Sequence, residues 1–339
     1  MNYKQAAREI ATGTAKPVYI CYGPEQFLMN EFITYTVDRL VEAPYRDFAV
    51  SRYDLSETSI EDVLEDAETA AFLAPMKVVI AKDAAFLTSA KESSKVEHRT
   101  ERLIEYVKSP SPSAMVLLTV SADKLDERKK IVKQLKDADL LIPFTHMGGD
   151  ELLQWVRKRA ERSECTFTPE AAEKLLQTAG TNLQTLAGEI EKCSLYAGKG
   201  GTVTPEAVDM LVVRSTEQNV FLLVEDIVKR KTERALTTLA ELLKQKEEPI
   251  KILMLIASQF RLIAMSKELA RSGYSQQQIA GQIGVHPYRV KLAMEQASGY
   301  SEERLKQILH AAAELDYGMK TGRQDKTMGL ELFILRFAG

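Results

Sequence analysis

Three cysteines in 339 residues, Cys21, Cys165 and Cys193, stand far apart and are odd in number. They make neither a zinc-binding spacing nor the disulfide framework of a small secreted domain. The four histidines, His98, His146, His286 and His310, are isolated, and neither His-Glu-x-x-His nor Gly-x-Ser-x-Gly occurs. Metal-assisted hydrolysis and serine-nucleophile chemistry therefore lack their residues, and surface or structural roles are expected for all four histidines. An excess of either charge is missing as well: 45 Lys and Arg against 48 Asp and Glu give a net charge of −3. That balance excludes a dominant polyelectrolyte partner, although the last third is slightly basic. No apolar run approaches the length of a membrane span. The start, Met-Asn-Tyr-Lys-Gln-Ala, has no apolar signal region, so a reducing cytoplasm is the expected location.

What is present is the make-up of an ordinary soluble protein, 45% hydrophobic and 27% charged, in a chain long enough for two or three domains. To about Phe144, strands alternate with helices, which implies a layered α/β domain. Val18 to Tyr22 is a short β-rich run, Ala49 to Leu55 a second strand, and Leu140 to Phe144 a further one. Lys77 to Ala81 and Ala114 to Val120 are almost wholly apolar, as central strands of a parallel sheet are. Between them, Gln26 to Val41 and Ser59 to Ala71 have helical spacing, the latter with Ser59 as cap and acidic residues in its first turn. Its acidic residues, Glu61, Asp62, Glu65 and Asp66, suit a solvated face better than a catalytic carboxylate pair. A basic amphipathic helix is expected after Asp123, with Lys124, Arg128, Lys129, Lys130, Lys133 and Lys136 around an Ile131–Leu135 stripe. From Gly148-Gly149 the strand signal fades. Helices follow from 151 to about 213 and again from Val220 to the end, joined by turns short enough for a bundle.

The stretch from Val18 to Phe32 reads as buried strand, Gly-Pro turn, then helix, which is where a nucleotide-binding α/β domain places its phosphate loop. A working loop is Gly-x-x-x-x-Gly-Lys-Ser/Thr, with backbone amides and a lysine holding the phosphates. Here Gly23 is followed by Pro24, Glu25 and Gln26. Pro24 removes a donor and Glu25 brings negative charge to the phosphate position. The strand from Ala114 to Val120 ends in Ser121-Ala122-Asp123, where a magnesium-holding strand would end in Asp-Glu. Both signatures of a working nucleotide site are absent from one domain, so no cofactor, no metal and no catalytic residue is expected.

Two further segments carry alternatives. Phe72 and Leu73 follow the acidic helix just before a buried strand. They read either as core tucked onto the sheet or as an exposed apolar plug for a partner's pocket, where burial contributes roughly 3–6 kcal/mol before association costs. Residues 275–290 have the spacing of a helix-turn-helix around Gly284. His286, Tyr288 and Arg289 stand where a DNA-reading helix needs polar side chains, yet Pro287 occupies one of those early positions. The alternative function is thus a helix-turn-helix DNA-binding regulator using 275–290.

Five segments, 18–28, 72–80, 181–192, 279–290 and 314–322, together resemble the delta-subunit family of bacterial DNA polymerase III, the clamp-opening subunits of the clamp loader. The resemblance implies a degenerate AAA+ type parallel-sheet domain over 1–145, a small helical lid over 146–213 and a helical collar over 214–339 that assembles a ring-shaped pentamer. It implies a protein that binds and opens the sliding clamp for loading on primed DNA without hydrolysing ATP. Two adjacent bulky residues that enter the clamp's apolar pocket correspond to Phe72 and Leu73. The implied partners are the clamp (the beta subunit), delta prime and gamma/tau through the collar, and primed-template DNA, with no membrane. No active site of its own is implied, only membership of a DNA-directed DNA polymerase (nucleotidyltransferase) holoenzyme.

Overall fold

A computed structural model describes residues 1–71, 74–90 and 96–339, and the chain divides into two compact units, 1–146 and 147–339. The first contains α1 (Tyr3–Thr12), β1 (Val18–Tyr22), α2 (Gln26–Leu40), α3 (Arg46–Ala49), β2 (Val50–Asp54), α4 (Ile60–Glu68) and β3 (Lys77–Lys82). It continues with α5 (Thr100–Lys108), β4 (Ala114–Val120), α6 (Lys130–Asp137) and β5 (Leu141–Pro143). The strands form one parallel sheet in the order β2-β3-β4-β1-β5. Strand β4 is buried at all seven positions, and β1 and β3 nearly so. This explains their unbroken apolar runs: helices cover both faces of an all-parallel sheet, so neither face needs polar residues. Ile60, Val63, Leu64 and Ala67 of α4 and Ile131, Val132 and Leu135 of α6 are buried in the core with Val18, Val79 and Val116. The fold is the α/β class expected.

The second unit opens with α7 (Gly149–Arg162), β6 (Thr166–Phe167), α8 (Pro169–Ala179), α9 (Leu183–Ala197), β7 (Thr202–Val203) and α10 (Pro205–Leu211). It continues through α11 (Thr216–Val228), α12 (Thr232–Lys244), α13 (Pro249–Arg271), α14 (Gln276–Ile283), α15 (Pro287–Ala297), α16 (Glu302–Lys320) and α17 (Lys326–Ala338). Capping explains many boundaries. Thr168, Asn182, Ser215, Ser275 and Ser301 each accept the N3 amide of the helix they start, and Pro stands at the first position of α8, α10, α13 and α15. The core around α13 includes Ile252, Ile256, Phe260 and Ile263.

Several expectations need correction. The apolar helix α13 is, by length and composition, long enough to cross a membrane, contrary to the reading that no run approaches that length. It is instead packed by α11, α14, α15, α16 and α17. The strand signal does not vanish after Gly149: β6 and β7 pair in parallel, Thr166 with Thr202 and Phe167 with Val203. Two residues are too few for any periodicity to register. The basic helix after Asp123 starts only at Lys130. Before it, Asp126 accepts from the Arg128 amide and guanidinium (3.1 and 2.8 Å) and its own amide goes to the Leu87 carbonyl. A short polar side chain that takes backbone donors locally competes with helix formation. The Arg128 fork holds the Asp126 carboxyl down at about 2.

Candidate functional site

The Gly23 corner is built by close approach to the end of β5. Gly23 has φ +134°, and a Cβ there would stand 2.2 Å from the Phe144 carbonyl oxygen. The Phe144 amide donates to Tyr22 O at 2.7 Å, and the Glu25 amide donates back to Phe144 O at 3.0 Å. The corner's donors are thus engaged inside the fold: Pro24 has none, Glu25 uses its own on Phe144, and Gln26 N bonds to Pro24 O. The Gln26 side-chain amide closes the turn on Gly23 O at 2.9 Å. Glu25, only 7% exposed, sits at the N-terminus of α2 with Oε2 3.0 Å from His146 Nδ1. A carboxylate therefore occupies the positive end of the helix, where a phosphate loop would hold its ligand. The ring of Phe144 stacks on Tyr3 (5.6 Å between centroids) and tilts against Phe32 (5.7 Å). Asp123 lies past the end of β4. No group of three or more His, Cys, Asp or Glu able to hold a metal occurs among the described residues.

Phe72 and Leu73 lie outside the described residues; the elements on either side of them are described. Helix α4 finishes at Glu68 with Thr69 as its C-cap, and β3 starts at Lys77. Lys77 is buried, and its ammonium bridges to Asp66 Oδ1 (2.6 Å) and the Asp66 carbonyl (2.9 Å). Arg102 of α5 grips Glu68 through both carboxylate oxygens (3.1 and 3.3 Å). Asp66 and Glu68 are therefore braces at the base of the connection. Asp66, first read as part of a solvated face, has its role because a lysine opens a buried strand and must meet a carboxylate. That lysine was the available signal. Glu25 with His146 offered none, being joined only by tertiary structure.

The remaining sequence candidates have structural roles. His286 is buried and caps α15, its Nδ1 accepting the Tyr288 amide. Tyr288 is buried too, so of the three side chains proposed to read DNA only Arg289 is at the surface. Val290, Ala293 and Gln296 of α15 are also buried. The face that would enter a groove is committed to the helical core. His98 accepts the Ile60 amide, the first of α4, and His310 approaches Glu314 one turn on at 3.4 Å. All three cysteines are buried, and burial pushes the Cys193 thiol up to about 11.

A five-stranded parallel sheet covered by helices, followed in the chain by a helical unit, defines the class: a layered α/β protein with a helical C-terminal region. Comparison with known proteins narrows that class. Residues 19–144 match the family model of the DNA polymerase III delta subunit, and 217–337 match that of its C-terminal domain. The chain is 40% identical over 329 residues to the DNA polymerase III subunit delta of Bacillus subtilis, covering 97% of this chain and 95% of that one. It is 22% identical to a probable DNA polymerase III subunit delta of Aquifex aeolicus, over 94% and 90% of the two chains. Its structure is similar to that of the Bacillus subtilis DNA clamp loader delta protein, with a TM-score of 0.79, 39% identity and 99% of each chain covered. The chain belongs to the DNA polymerase III delta subunit family, the clamp-loader delta proteins of DNA replication.

Proposed function

We propose that this protein opens the sliding clamp without hydrolysing ATP. The observation that carries the second half is the Gly23 corner. Its amides are engaged with Phe144 and Pro24, and Glu25 stands on the helix end where phosphates would bind. Removing such a carboxylate would not recreate a loop that also lacks its lysine and hydroxyl. A calorimetric titration with Mg-ATP is expected to give no binding heat, and tight binding would overturn this reading.

The clamp-binding element in this proposal is Phe72-Leu73, carried on the connection braced by Lys77–Asp66 and Arg102–Glu68. A braced base limits the entropy lost when the tip enters a pocket. A ligand shifts an opening equilibrium only by its preference for the open form, so the pair should bind an opened clamp better than a closed one. The variant Phe72→Ala/Leu73→Ala is expected to lose roughly 3–6 kcal/mol of clamp affinity, less any contacts that remain. Surface plasmon resonance on immobilised clamp reads this directly, and unchanged affinity with an intact fold would refute the site. Helices α7 to α10, within 146–213, act as the lid in this reading, and α11 to α17, within 214–339, as the collar. The collar joins delta prime and gamma/tau, and the assembled cytoplasmic complex receives primed-template DNA as part of the polymerase holoenzyme.

A further inference from the structure

The C-terminal end of α11 and the turn between α15 and α16 enclose a cleft of ≈ 440 Å³ whose chemistry none of the foregoing uses. Arg230 and Arg304 both line it, and no carboxylate does. Among the described residues neither guanidinium has an ion-pair partner. Arg304 lies over the Phe337 ring (4.9 Å to the centroid) and gives one N–H to the Arg336 carbonyl at 3.3 Å, leaving the rest of its fork unused. Arg230 holds φ +54°, an uncommon backbone setting for a non-glycine residue. Tyr300, also lining the cleft, is 8% exposed, and its hydroxyl has no hydrogen-bond partner. Burial pushes that phenol up to about 12, while Arg304 and Arg230 both pull against the shift. Both cations therefore act on the same buried hydroxyl.

The backbone adds to this. Ser301 caps the 19-residue α16, accepting the Arg304 amide at 3.1 Å, which leaves its own O–H proton free to donate. The positive end of that long helix opens at the cleft. Gly299 lets the turn lie against α11, because a Cβ there would come within 2.9 Å of Val228 Cγ1. Behind the turn, Lys267 donates to the carbonyls of Ala297 and Tyr300, so a third cation stands nearby without an acid partner there. Of the acidic residues close in sequence, Glu302 pairs with Arg271, Glu225 with Lys229 and Asp226 with Arg234, while Glu303 and Glu233 are exposed and do not line the cleft.

We propose that this cleft binds a phosphoryl oxyanion, held between the Arg230 and Arg304 forks with the Tyr300 and Ser301 hydroxyls and the α16 N-terminus as further donors. Two forks, two hydroxyls and a helix end supply more donors than the two oxygens of a carboxylate accept, whereas a phosphoryl group has the oxygens to meet them. The cleft is also larger than one inorganic anion, which leaves room for the remainder of a phosphorylated molecule. Its source is either a free phosphoryl anion or the backbone of a nucleic-acid strand.

The test uses the full chain, titrated with pyrophosphate and separately with a short oligo-dT strand, at constant ionic strength set with chloride. Wild type is expected to bind. Arg230→Gln/Arg304→Gln is expected to bind roughly tenfold or more weakly, with the helical fold retained by circular dichroism although Arg304 gives up its contacts with the Phe337 ring and the Arg336 carbonyl. Tyr300→Phe, which keeps the ring and its packing, should weaken binding several-fold with the fold intact. If pyrophosphate displaces the strand and the double variant loses both, the ligand is backbone phosphate. If only pyrophosphate binding falls, the ligand is a free phosphoryl anion. Wild-type binding of neither probe above the chloride control, or variants that bind as wild type does, would overturn the proposal.

Discussion

Substituting Gly23 by alanine tests whether the corner at the end of β1 is held by the backbone contacts described. An alanine Cβ would sit 2.2 Å from Phe144 O, 2.7 Å from its carbonyl carbon and 3.0 Å from its nitrogen, with all three atoms in the main chain. No side-chain rotation relieves such a contact, so the two segments must part by roughly 1 Å to reach an ordinary separation. That movement breaks Phe144 N to Tyr22 O and Glu25 N to Phe144 O, together about 2 kcal/mol of net hydrogen bonding. A residue with a side chain at φ +134° adds about 1–3 kcal/mol of backbone strain. The expected loss is about 3–5 kcal/mol, before any disturbance of the Phe144 stack on Tyr3 and Phe32. Gly13→Ala is the control. Gly13 also has positive φ, +74°, but no atom lies within 4 Å of its Cβ position, so only the conformational penalty of about 1–2 kcal/mol applies. Hydrogen exchange read by mass spectrometry on peptides from β1 and β4 measures the opening free energy of the first unit locally. Gly23→Ala should speed their exchange about 100- to 4,000-fold, each tenfold being 1.4 kcal/mol, and Gly13→Ala far less. Equal effects of the two variants would refute the steric argument.

Two other outcomes are expected. Burial pushes the phenols of Tyr19 and Tyr300 up to about 12 from an ordinary 10.0. A raised phenol pKa keeps its stabilisation below the unfolded value and loses it as pH rises toward the folded one. Stability should therefore decline from about pH 10 to about pH 12 as the unfolded chain ionises first. Burial also raises the phenols of Tyr22, Tyr53, Tyr106 and Tyr288, so phenolate absorbance should show a late-titrating group that includes Tyr19 and Tyr300, and Tyr19→Phe should remove part of the decline. On α17, Met328, Leu332 and Leu335 are 59%, 52% and 47% exposed at helical spacing. If the collar reading is right, Leu332→Glu/Leu335→Glu leaves unfolding within about 0.5 kcal/mol of wild type and abolishes co-purification with the other clamp-loader subunits. Undiminished assembly would exclude this face as the contact.

The sequence disclosed those features whose cause is local. The apolar runs of β1, β3 and β4 are visible because burial on both sheet faces leaves no room for a polar residue, and α15 shows both ends through Pro287 and the loss of pattern after Ala297. The segment before Lys130 misled because amphipathic charge spacing continues through it, while Asp126 and Lys129 bond instead to the turn at residues 85–87. Helix α13 looked unremarkable as part of a helical region, although its length and hydropathy come from being enclosed by its neighbours. At the corner, the missing Gly-Lys-Ser and the negative charge of Glu25 were legible, whereas the contact of Glu25 with His146 and of the turn with Phe144 was not. Those partners come from 121 residues further along, and no spacing rule connects them.

The strand order has a consequence for synthesis. β1 sits between β4 and β5 and pairs with neither of the strands that follow it directly in the chain. Val18 finds its partner only in Val116, so a ribosome must deliver about a hundred further residues, some 5–20 s of translation, before the first strand has anything to pair with. Throughout that interval Val-Tyr-Ile-Cys-Tyr is an unpaired apolar strand bearing a thiol, the kind of segment chaperones bind. The β1 side of the sheet, from β4 to the edge strand β5, is therefore the last part of it to be completed, and newly made chains should be most vulnerable to aggregation until residue 143 has left the exit tunnel.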